Sequence, residues 1–74
     1  MNAVNINKLK GKIVENGLTV ATLAQKIGMD ATTLYRKLNN NGETLLIREV
    51  FAICDALQLS PSDAISIFLP QVSH

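Results

Sequence analysis

Gly28 constrains this chain more than any other residue. It stands inside VATLAQKIGMDATTLYRKLN, residues 20–39, between two short stretches with helical apolar spacing. In the first stretch Leu23, Ala24 and Ile27 fall at i, i+1 and i+4, which places them on one helical face. Glycine enters the left-handed conformation of a helix stop without a Cβ penalty, so Gly28 ends that helix. Asp30 can begin the next, because its carboxylate can accept the unpaired amide hydrogens of a first turn. Leu34 and Leu38, four apart, give the second helix its own inward stripe. Only Met29 and Asp30 separate Gly28 from Ala31, so the two helices must meet at a steep angle. The pattern is a helix-turn-helix.

The flanking chain supplies walls for this pair. Ile6, Leu9 and Ile13 predict a helix over about 5–15 with Lys8 and Lys12 outward, closed by the turn signal Asn16-Gly17. Thr19 is placed to cap helix two, over 20–27, and helix three covers 31–39. The polar breaker Asn39-Asn40-Asn41-Gly42 follows. Helix four continues to Leu57 with Val50, Ile53, Cys54 and Leu57 at i, i+3, i+4 and i+7. Ser60-Pro61-Ser62-Asp63 carries a helix start: a Ser cap, Pro at the first position and an acid in the first turn. Helix five runs over 61–69 and Pro70 closes it. The expected architecture is all-α, a compact bundle of about five short helices. It forms a single domain over 1–74, with its core over 5–69 and a frayed tail over 70–74.

Seventy-four residues lie near the lower limit for a self-standing core, so association with a second copy is expected. The chain is 47% apolar but only 4% aromatic, with no Trp, so that core must be aliphatic. The single Cys54 excludes an intrachain disulfide and a Cys-based zinc cage, and its place in an apolar pattern makes it a buried small hydrophobe. No apolar run reaches the length of a membrane span, and MNAVNINKLK lacks the apolar segment of a signal peptide. A soluble cytoplasmic chain is expected.

Charge is unevenly placed. Residues 1–41 carry six cations against Glu15 and Asp30, a net +4, whereas residues 42–74 carry Arg48 against four acids, a net −3. Such polarity lets one side face phosphate, although ordinary solvated faces would give the same numbers. Enzymatic chemistry finds little support. His74 is the only His and stands at the end of the sequence, the acids show no paired or metal-ligand spacing, and Gly11, Gly17, Gly28 and Gly42 form no phosphate loop. Neither a cofactor nor a metal is expected.

With Leu34 and Leu38 inward, helix three presents Ala31, Thr32, Tyr35 and Arg36, with Thr33 and Lys37 at the margins. These types suit a major groove. Arg36 can set two parallel donors on guanine, Thr hydroxyls can bond base edges or phosphate, and Ala31 can touch a thymine methyl. Lys37 suits phosphate as a flexible point charge. The start of helix two, near Thr19, can offer amide hydrogens to a phosphate. Two amphipathic helices around a glycine also occur in bundles that touch no DNA, so the pattern alone leaves both readings open.

The segment resembles the Cro/C1-type helix-turn-helix family of phage and bacterial repressors. Ala24 stands at the small-residue crossing of the two helices, Gly28 at the turn and Leu34 at the buried aliphatic position of the recognition helix. LAQKIGMDATTLYRKLN, an apolar helix, LSPSD and an apolar end together look like a small subfamily of phage regulators, a likeness spanning about 5–69. The resemblance implies a lambda-repressor-like fold and a dimer reading two half-sites of a double-stranded operator. By position, Ala31, Thr32, Thr33, Tyr35 and Arg36 would read bases, and Thr19, Val20, Lys37 and Asn39 would lie along the backbone. A phage origin would place the protein in the cytoplasm of a bacterial host.

Two departures open a second function. The family often has Gln where this chain has Val20, which removes a polar DNA contact. Leu46 stands three before Glu49, where Ser or Thr would cap helix four, leaving Thr44 to cap from further back, if at all. The resulting run Leu45-Leu46-Ile47 exceeds what one helical face buries, unless a bent loop tucks all three beneath helix three. The first function is a transcriptional regulator of a lysogeny-type switch that binds its operator directly. The alternative is a small modulator or antirepressor that grips a partner repressor and binds DNA weakly or only jointly with it. Leu45, Leu46, Ile47, Phe51 and Ile67 are the candidate protein interface, with Ile65, Phe68 and Leu69 turned inward, and service to the core alone stays open as the alternative for Ile67 and Phe51.

Overall fold

The computed structural model describes residues 4–71, and five helices follow one another without a strand among them. They are α1 (Ile6–Glu15), α2 (Val20–Lys26), α3 (Ala31–Asn39), α4 (Ile47–Leu57) and α5 (Pro61–Phe68). Four of the five starts follow from a capping residue. Asn5 accepts the Lys8 amide at 3.1 Å, Thr19 the Thr22 amide at 3.2 Å, Asp30 the Thr33 amide at 3.2 Å and Ser60 the Asp63 amide at 3.1 Å. Asn5, Ile27 and Leu69, expected inside helices, are the caps themselves.

Helix four starts differently. Its cap position is Leu46, whose side chain has no acceptor, and Thr44 lies outside the helix. The Glu49 carboxylate instead reaches back to the Leu46 amide at 2.8 Å, the acidic half of a capping box without its hydroxyl half.

All five helices feed one aliphatic cluster: Leu9 and Ile13, Leu23 and Ala24, Leu34 and Leu38, Ile53 and Leu57, and Ile67. No charged or polar residue is buried among the described residues. Ile67 corrects an expectation: it is fully buried and cannot serve an interface, whereas Ile65 and Leu69 face outward. The reason lies on α1. Lys12 Nζ stands 3.2 Å from Asp63 Oδ2 and Lys8 Nζ donates to Ser66 Oγ at 2.6 Å, which turns the 63/66/67 side of α5 towards α1. The Asn5 amide then closes on the Ile67 carbonyl at 2.7 Å. Residues 65 and 69, two positions from 67, are carried to the opposite side.

The loop before α4 is equally determined. Asn41 and Gly42 both have positive φ, and a Cβ on Gly42 would lie 2.7 Å from Val4 Cγ2. Glycine there is a requirement of both backbone and space. Of the run after the loop, Leu45 packs against the core while Leu46 and Ile47 are exposed. Residues 72–74, and with them His74 and most of the expected frayed tail, lie outside the described residues.

Candidate nucleic-acid interface

The turn between α2 and α3 is a hydrogen-bonded motif. Gly28, at φ +72°, donates its amide to Gln25 O at 3.2 Å, and the Met29 amide closes on Ala24 O at 2.8 Å. These two bonds are the Schellman arrangement: they satisfy the last carbonyls of α2 and reverse the chain in two residues. Ala24, fully buried, lets the helices approach, and Leu34 locks α3 against them. The orientation of α3 is therefore set from both ends.

On the outer face Thr32, Tyr35, Arg36 and Asn39 are exposed, while Ala31 and Thr33 are half-buried at its margin. Tyr35 is 47% exposed and borders a shallow groove with Lys10, Val14, Thr19 and Val20. The fold thus gathers the base-reading residues expected from the sequence onto one surface and sets the start of α2 beside them. Lys10 is an addition. It points away from the Lys8 and Lys12 side of α1, and its place two positions from each was the available signal.

Two of the expected backbone contacts are occupied. Thr19 Oγ1 caps its own helix, and Thr22 Oγ1 accepts the Thr19 amide at 2.8 Å in return. Lys37 does not project freely towards phosphate, as its residue type suggested. Its ammonium is held by both carboxylate oxygens of Glu49, at 2.7 and 2.9 Å. Burial would raise the Glu49 carboxyl, but the Leu46 amide and the Lys37 ammonium outweigh it and hold the group below its ordinary value.

Lys8 and Lys12 were expected on the outside, yet both lean on Asp63, at 3.9 and 3.2 Å. Bonding to Lys12 lowers the Asp63 carboxyl and raises the Lys12 ammonium. Half of the six cations of the basic N-terminal segment are thereby paired. Among the described residues Lys10, Lys26 and Arg36 make no ion pair, and these are the remaining cations of residues 4–41.

A second surface lies on α4 and α5. Ile47 (71% exposed) and Phe51 (68%) stand four apart on α4, with Ile65 of α5 and the cap residue Leu69 opposite them. Between them runs an apolar groove floored by Val50, Cys54, Ala64 and Phe68. Cys54, expected in the core, is half-buried in that floor, and burial pushes its thiol pKa up.

Among the described residues no cluster of three or more metal-ligating side chains occurs, and no helix is long and apolar enough to cross a membrane. The family model for the Cro/C1-type HTH DNA-binding domain matches residues 8–68. No curated protein and no solved structure matches the chain.

Proposed function

We propose that this chain, which belongs to the Cro/C1-type helix-turn-helix family of DNA-binding transcription regulators, reads a double-stranded operator in a phage lysogeny-type switch. Helix α3 enters the major groove, with Thr32, Tyr35 and Arg36 on base edges and Ala31 and Thr33 at the thymine methyls beside them. Thr19, Val20 and Asn39 lie along the flanking backbone. The observation that carries this reading is the Arg36 guanidinium, exposed at the centre of α3 with no hydrogen bond or ion pair among the described residues. A planar donor fork left unpaired beside two hydroxyl-bearing residues matches a guanine flanked by polar base edges.

A second copy, joined through the face of Ile47, Phe51, Ile65 and Leu69, would present a second α3 to the adjoining half-site. Selection of bound duplexes from a randomised pool tests the reading: a recurring two-fold motif is the expected result. Retention of an unenriched pool would overturn it.

The exposure of Leu46, Ile47 and Phe51 favours one other reading, a modulator that holds a partner repressor by protein contact. In that case Leu46→Asp abolishes co-purification with the partner while leaving the isolated chain folded. Unchanged co-purification would remove this surface from consideration.

A further inference from the structure

We propose that Glu49 is a positioning residue that holds Lys37 off the phosphate backbone and thereby sets the salt dependence of DNA binding. The inference rests on the DNA-reading function above. The pair joins two helices at a separation of twelve residues, and both side chains are more than four-fifths buried, at 18% exposure for Lys37 and 15% for Glu49. It is therefore unlike the solvated ion pairs whose partners drift apart.

The carboxylate is fixed independently of the lysine, since Oε1 also accepts the Leu46 amide at 2.8 Å. A lysine that moved to phosphate would leave that largely buried carboxylate without its counterion. Lys37 nevertheless follows Arg36 directly on α3, and Arg48, exposed and unpaired among the described residues, follows the cap position by two on α4. Released from Glu49, the ammonium would stand one position from Arg36, at the margin of the surface proposed to face DNA. A cation at that edge adds the same attraction to every duplex, because phosphate carries no sequence.

The test is the salt dependence of duplex binding by the full chain and by Glu49→Gln, which keeps an oxygen for the Leu46 amide but cannot neutralise Lys37. Circular dichroism checks that both are folded. The variant should bind random duplex more tightly than the wild type at low salt. The slope of log affinity against log salt should steepen by about 0.9 for each copy bound, an extra loss of roughly 3-fold between about 50 and 200 mM salt. Adding Lys37→Gln to E49Q should abolish the gain.

A slope unchanged in E49Q overturns the proposal, because a purely structural role for the pair moves stability and not the slope. In the unaltered protein the Nζ resonance of Lys37 should hold its position when duplex is added, and a shift to a phosphate-bound position also overturns it. Were the wild type to bind no duplex, the DNA-reading function would fail. A gain of binding in E49Q would then still support the restraint, and its absence would overturn it.

Discussion

Lys37 Nζ lies 2.7 Å from Glu49 Oε1, tying the last turn of α3 to the first turn of α4. The same carboxylate oxygen caps α4 through the Leu46 amide. One side chain therefore fixes a helix start, an interhelix contact and the availability of a cation. Glu49→Ala should destabilise the fold by about 1–2 kcal/mol, the loss of a cap together with a largely buried pair. Denaturant unfolding of the variant against wild type measures it.

Arg36→Ala should do the opposite. Arg36 is exposed and makes no ion pair among the described residues, so its loss should change stability by no more than about 0.5 kcal/mol. Operator binding should weaken by about 1–3 kcal/mol per half-site, with preference relaxed at the contacted base pair. Competition binding against operators altered one base pair at a time reads both effects.

Acid should loosen the α1–α5 contact. Asp63 has its carboxyl lowered in the folded chain, chiefly by Lys12. Its stabilising contribution is present above the ordinary carboxylate value and is lost as pH falls through that value towards the folded one. Lys12 is raised, so its contribution is present below the ordinary lysine value and is lost as pH rises through the raised one. Thermal melts against pH should show wild type losing ground at both extremes and Asp63→Asn losing less at the acid end. Equal acid slopes would contradict the pairing.

The exposed face of α4 should govern association. Phe51, 68% exposed, contributes nothing large to the monomer's core. Phe51→Ser should therefore preserve the melting temperature within about 2–3 °C while shifting sedimentation towards monomer. Cys54 beneath it should react slowly with a thiol-alkylating reagent, because its thiol is half-buried and its pKa is raised.

Much of the fold was legible because its punctuation is local. Gly28, Asp30 and Ser60-Pro61 act within three residues of themselves, so the helix bounds they imply match α2, α3 and α5 to within one residue. The outward face of α3 followed from Leu34 and Leu38 for the same reason. What escaped depends on partners distant in the chain. The rotation of α5, and with it the burial of Ile67, is set by Lys8 and Lys12 reaching Asp63 and Ser66 from α1. The pairing of Lys37 with Glu49 spans a loop whose path depends on Val4 packing against Gly42. Periodicity gives a helix its faces, but in an eight-residue helix whose Ile65, Ile67 and Phe68 point to different sides it cannot say which face turns inward.

The most direct measurement is the affinity of the wild-type chain for a selected operator against a random duplex of equal length, taken at one near-physiological salt concentration. Binding of the operator should be tighter by at least about 10³, as specific readout through Arg36, Thr32 and Tyr35 requires. Equal affinity for the two duplexes would contradict it.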